Sequence, residues 1–261
     1  MTKRTFAVAL LWLLSAPAKA AGDGALSKEE MVKMLAVLDA RQKSTGDYKS
    51  FAYIERKEKD KTDVVENALI YRRDADEKLM ILFVDPKAEA GKGYLRLDKN
   101  LWFYDPSVGK WERRTDREAI GGTDARRNDF DQSKLAEEYD PTDKGTGKLG
   151  VYPVRLLDLK VKENVDVAYP IVKLWIHAET GNMLKRQDFA LSGRLMRTLY
   201  YPQWDKLFSD SKKDYVWFPH EIRIYDEVEK ANSTLVLLSK VDLKPLDANM
   251  FTKAWLESKS R

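Results

Sequence analysis

Residues 91–114 read GKGYLRLDKNLWFYDPSVGKWERR, and this stretch decides the fold class. Tyr94 to Asp98 alternates large apolar with polar side chains, Lys99-Asn100 turns the chain, and Leu101-Trp102-Phe103-Tyr104 runs back. A period of two marks a strand with one wet and one apolar face, and so short a connection makes the pair a hairpin. Asp105-Pro106-Ser107-Val108-Gly109-Lys110 is a second turn, because proline presets φ and glycine accepts positive φ. Lys110 to Arg113 extends the hairpin by another strand. No group here is suited to make or break a covalent bond. The stretch is built to surround something apolar.

Working outward, the same pattern recurs. Phe51 to Lys57 pairs with Val64 to Arg73, and Lys78 to Val84 is a nearly continuous apolar strand stopped by Asp85-Pro86. Thr115 to Lys148 differs: it is polar, contains glycine, and offers Ile120, Phe130 and Leu135 as its large apolar anchors. A segment this long inside a compact domain reads as a flap or lid, with a short helix over Asp131–Tyr139 that Asp131 would cap. Strands resume over 152–159, 169–176, 183–191, 194–201, 215–225 and 233–243. About ten hairpin-linked strands predict a mainly β protein, a large curved antiparallel sheet or barrel. Two helices accompany it. Ser27 and Glu30 form a capping box before Met31, Met34, Leu35 and Leu38, so a helix through Arg41 packs on the core. Asp247 is the expected cap of a terminal helix carrying Met250, Phe251, Trp255 and Leu256.

The N-terminus carries an address. Lys3-Arg4, the apolar run Phe6–Leu14 and Ala18-Lys19-Ala20 follow the order of a secretory signal peptide, predicting cleavage after Ala20. Residues 21–261 are then one exported domain, periplasmic in a Gram-negative source. With no cysteine in the sequence, neither a lipid-anchored N-terminus nor a disulfide is expected. The 46 basic residues lose Lys3, Arg4 and Lys19 with that segment, leaving 43 against 42 acidic ones. A near-neutral mature chain gives no electrostatic case for nucleic acid.

Catalytic parts are scarce. His177 and His220 are the two histidines, far apart and both read as structural. Neither a zinc motif nor a nucleophile elbow is present. Gly121-Gly122-Thr123-Asp124 lacks the lysine of a phosphate loop, and the spacing of Asn128, Asp129 and Asp131 departs from a calcium loop. No enzyme activity, cofactor or metal is expected. Arg126-Arg127 in the flap is a small basic patch, a candidate contact for an acidic partner surface or lipid head groups.

Several of these pieces together resemble the outer-membrane lipoprotein-sorting, LolA-like, family. They are Gly91-x-Gly93 with Leu95-Arg96-Leu97, Asn100-Leu101-Trp102-x-Tyr104-x-Pro106, and Gly122-Thr123-Asp124 with Asn128-Asp129, Leu135 and Tyr139. Leu174-Trp175-Ile176 with Glu179-Thr180-Gly181, and Asp247-x-x-x-Phe251-Thr252, follow in the family's order. Ala125-Arg126-Arg127 is a more charged flap than the family's. The resemblance implies an unclosed antiparallel β-barrel with capping helices. It implies a carrier that holds acyl chains of a lipoprotein or lipid in an apolar cavity and moves them towards the outer membrane. An inner-membrane exporter complex and an outer-membrane acceptor would be its partners. Leu82, Leu95, Leu97, Leu101, Trp102, Leu174, Ile176 and Leu199 are the candidate cavity residues. The alternative is an envelope interaction module that binds a partner strand at an open sheet edge.

Overall fold

A computed structural model describes residues 24–43, 46–97, 100–115, 120–125, 129 and 133–260. The proposed signal segment, Arg126, Arg127, Asn128, Phe130 and Asp131 lie outside the described residues. Among those described, thirteen strands form one antiparallel sheet, and three α-helices accompany it. No described helix is long and apolar enough to cross a membrane.

Helix α1 (Lys28–Lys43) begins at the expected capping box: Ser27 N donates to Glu30 Oε2 at 2.8 Å, and Glu30 N donates to Ser27 Oγ at 3.3 Å. Six strands follow: β1 (Asp47–Lys57), β2 (Val64–Arg73), β3 (Lys78–Asp85), β4 (Gly93–Leu97), β5 (Asn100–Asp105) and β6 (Lys110–Arg114). After the long connection come α2 (Leu135–Glu138), β7 (Tyr139–Leu149), β8 (Tyr152–Val161), β9 (Ile171–His177) and β10 (Met183–Phe189). The long hairpin of β11 (Leu195–Ser209) and β12 (Asp214–Asp226) leads to β13 (Ser233–Asp242) and α3 (Lys253–Lys259).

The spatial order is β6-β5-β4-β3-β2-β1-β13-β12-β11-β10-β9-β8-β7. The first and last segments of the sequence thus meet in the middle of the sheet, where β1 pairs with β13. β6 and β7 remain as its two unpaired edges, so the barrel is unclosed.

Two expectations need correction. The flap does not run to Lys148, because Tyr139–Leu149 is an edge strand paired with β8. Its Asp, Thr, Lys and Gly residues hide that identity, because only one neighbour and little burial constrain an edge. Asp247 does not cap the terminal helix either. It accepts from Asn249 N and closes a 3-10 turn over Ala248–Met250, whereas Thr252 caps α3 by accepting from Trp255 N at 3.1 Å.

The two faces of the sheet are covered differently. On the inner face, α1 lays Met31, Leu35 and Leu38 against Leu157, Leu159, Val172, Leu174 and Ile176 of β8 and β9. On the outer face, Phe251 and Leu256 from the C-terminal segment pack on Tyr71, Met80 and Leu95. Both faces of β3 and β4 are therefore dry, which explains the nearly continuous apolar run of β3.

Candidate functional site

The middle of the inner face is left uncovered by α1, and there residues 120–125 and 129, from the connection between β6 and α2, lie over it as a strap. Its described part holds the sheet at a series of polar points. Gly121 N donates to the Tyr94 hydroxyl at 2.9 Å, and Arg56 Nη1 donates to the Gly122 carbonyl at 3.2 Å. Both glycines have positive φ, 59° and 70°, which a side chain would resist. Asp124 N donates to Thr234 Oγ1 at 2.9 Å, and that hydroxyl donates back to Asp124 Oδ2 at 2.8 Å. At the far end Asp39 of α1 accepts from Leu135 N and Ala136 N, both at 2.9 Å, and from the Ser133 hydroxyl. Because Gly121, Thr123 and Asp124 all commit their amides to protein oxygens, this loop is no anion cradle.

The deepest anchor is ionic. Arg197 on β11 reaches Asp129 of the strap with two hydrogen bonds of 2.7 and 2.6 Å, while its Nε donates to Asp188 Oδ2 at 2.7 Å. Arg186 Nε donates to the other Asp188 oxygen at 2.6 Å. Burial alone would lower the pKa of both arginines. The carboxylates outweigh it, Asp188 for Arg186 and Asp129 with Asp188 for Arg197, and hold both charged. The same burial pushes the Tyr139 and Tyr201 hydroxyls up to about 12. Asp129 is thus a structural anchor rather than part of a calcium loop, and no metal-ligating cluster occurs among the described residues.

Beneath the strap lies an apolar cavity of about 190 Å³. Its walls come from seven strands that are neighbours in the sheet: Ile54 of β1, Ile70 of β2, Ile81 and Phe83 of β3, Met183 of β10, Leu199 of β11, Phe218, Ile222 and Ile224 of β12, and Val236 and Leu238 of β13. Ile120, Thr123, Ala125 and Asp129 form the roof. Polar groups are few and sit among Arg41, Tyr48, Arg72, Tyr201 and Trp204. Trp204 Nε1 is satisfied by the Met183 carbonyl at 3.0 Å.

Of the residues expected at the cavity, Leu199 lines it. Leu101 belongs to the same inner-face cluster as Ile81 and Phe83. Leu174 and Ile176 lie under α1. Leu95 and Leu97 face outward beneath the C-terminal segment, and Trp102, opposite Leu95 in register, stacks under Lys253 at 3.7 Å. Leu82 is buried on that outer face as well, opposite Gly93, over which Leu256 packs. Ile54, Ile70, Ile222, Ile224, Val236 and Leu238 escaped the sequence reading. Alternation such as Ile222-Arg223-Ile224 marks them as facing one way, but only the strap reveals which face holds the cavity.

His177 and His220 have local partners. Nδ1 of His177 lies 2.9 Å from Thr180 Oγ1, and Nδ1 of His220 lies 3.2 Å from Asp205.

With this geometry in place, the chain can be set beside known proteins. A family model described as an uncharacterized protein matches residues 75–258. The chain belongs to that family. No curated protein matches it by sequence. Among solved structures, a DUF1329 family protein from Desulfovibrio piger is similar at 19% identity with a TM-score of 0.76, covering 88% of this chain and 100% of its own. A putative outer membrane lipoprotein-sorting protein domain from Vibrio parahaemolyticus gives 17% identity and a TM-score of 0.75 over the same shares. A LolA superfamily protein from Nitrosomonas europaea gives 18% and 0.67, again covering 88% and 100%. At these identities the likeness shows the fold: a LolA-like open barrel.

Proposed function

We propose that the chain is a non-enzymatic carrier that holds acyl chains, of a lipoprotein or a lipid, in the inner-face cavity and moves them across the periplasm towards the outer membrane. The observation that carries this reading is the apolar cavity roofed by a strap held largely through polar contacts. Each methylene moved from water into such a wall contributes about 0.8 kcal/mol, so affinity needs no covalent chemistry. The cavity of about 190 Å³ resembles the dry engineered cavity of about 150 Å³ that admits benzene, and it is smaller than ordinary ligand sites of about 300–1,000 Å³. A long chain therefore enters only as Ile120 and Ala125 are displaced. Water can replace the contacts made by Gly121, Gly122 and Asp124, so this part of the strap gives way while the Arg197–Asp129 anchor holds.

The signal-peptide pattern of residues 1–20 supports export, and the lipoprotein-sorting description of the Vibrio parahaemolyticus domain supports the cargo class. An inner-membrane exporter complex would load the carrier and an outer-membrane acceptor would receive the chain. Partner-strand addition has less support. β7 carries Pro141 and a bulge between Asp143 and Thr146, and β6 is only five residues long, both devices that blunt a sheet edge.

Native mass spectrometry and solvent extraction of the purified protein test the proposal. The expected result is a co-purifying acyl-bearing molecule, or saturable uptake of a fluorescent acyl probe. Protein that carries no lipid and takes up no probe would refute it.

A further inference from the structure

The cavity wall carries three charged side chains, Arg41, Arg72 and Asp129. Two are paired: Arg72 Nε donates to Asp74 at 2.6 Å, and Asp129 is held by Arg197. Arg41 differs. Its guanidinium donates to Asn182 Oδ1 at 2.5 Å and to the Thr180 carbonyl at 2.6 Å, and both acceptors are neutral. Among the described residues no carboxylate pairs with it, and burial, unopposed by any nearby charge, lowers its pKa. Asn182 is 2% exposed and aims the fork, while Gly181 keeps the space beside Nη2 free of a side chain. An arginine has five donors in a rigid fork that matches carboxylate or phosphate oxygens, and two bonds leave donors to spare. A partly desolvated cation facing an apolar cavity is a site for an anion attached to something apolar.

We propose that the cavity takes a single acyl chain with an anionic head, a carboxylate or phosphate monoester, and that the head pairs with Arg41. The inference rests on the carrier reading. The volume of about 190 Å³ is small even for one long chain, so one chain, admitted as Ile120 and Ala125 give way, is the occupant rather than two. The head sits at the C-terminal end of α1, beside the β9–β10 turn, and the chain runs along Leu199, Ile224 and Leu238.

Isothermal titration calorimetry of the purified protein with dodecanoate, dodecyl phosphate and dodecanol tests this. A charge-assisted pair is expected to make one or both anions bind about tenfold to a hundredfold more tightly than the alcohol, and the stronger anion identifies the head. In Arg41→Gln that preference should vanish while dodecanol binding persists, which also shows that the variant is folded. Arg41→Lys should restore part of the preference. Equal affinity of wild type for the anions and the alcohol overturns the anionic assignment but leaves the carrier reading standing. Failure to bind all three overturns both.

Discussion

The strap's ionic anchor offers the sharpest test of how the cavity is held shut. In Arg197→Met the new side chain is unbranched and apolar but shorter, so it removes both the charge and the stacking of the guanidinium on the Tyr169 ring, whose centroid lies 4.5 Å from Cζ. Asp188, 0% exposed, would retain Arg186, whereas Asp129 would lose both of its bonds to Arg197. Removing one partner of a buried ion pair costs about 3–5 kcal/mol, chiefly because the other charge is left uncompensated. The lower end applies here, about 3 kcal/mol, since Asp188 remains paired. With a urea slope of about 1–3 kcal/mol/M, the midpoint should fall by at least about 1 M. Hydrogen exchange should also quicken at the Ile120 amide, which donates to the Ala125 carbonyl at 2.9 Å within the strap. Adding Asp129→Leu to the variant should recover part of the loss by removing the carboxylate that Arg197 had neutralised. A midpoint shift below about 0.3 M would correspond to under about 1 kcal/mol and would refute the anchoring role.

Other outcomes follow from the same geometry. Leu199→Trp puts a larger ring into the cavity and should weaken dodecanol binding at least about tenfold, with an overpacking cost of about 1–3 kcal/mol. Wild-type affinity in a folded variant would remove Leu199 from the wall. A Cβ at Gly93 would lie 2.7 Å from the Ile81 carbonyl oxygen and 2.9 Å from Leu256 Cδ1, so Gly93→Ala should lower stability by about 1–3 kcal/mol in denaturant melts. Ser27→Ala removes half of the α1 capping box and should cost about 0.5–2 kcal/mol by the same measurement. Acid stability should report on Asp143. Hydrogen bonds from Arg155, and to a lesser extent from the Leu26 and Gly145 amides, hold its carboxyl well below the usual range. A depressed folded pKa contributes stability that is complete above the unfolded value of about 3.9 and declines as pH falls towards the folded one. Asp143→Asn should therefore flatten the stability profile below about pH 4, and an unchanged slope there would contradict the assignment.

Local signals carried much of the architecture. The capping box at Ser27 and Glu30 needs only its own helix turn, so α1 was legible almost to its last residue. The β4–β5 hairpin and the pairing of β1 with β2 rest on alternation and short connections, which are likewise local. Tertiary structure decided where alternation is silent. Leu95 and Leu97 have the chemistry of cavity walls, yet α3 and the segment before it bury the outer face as thoroughly as the strap buries the inner one. When both faces are dry, hydrophobicity does not say which one encloses a cavity. β7 became a strand because β8 offered it a partner, not because its Asp, Thr, Lys and Gly residues favour one. Arg41 looked like the last residue of an amphipathic helix. Only the fold brings Asn182 and Thr180 against it, 141 and 139 residues further along the chain, and turns it towards the cavity. By itself the sequence determined that this chain builds β-walls with apolar faces and a helix to cover them, because these depend on spacing along the backbone. Which face became the cavity, and which charge was left to meet a ligand, depended on contacts between distant segments.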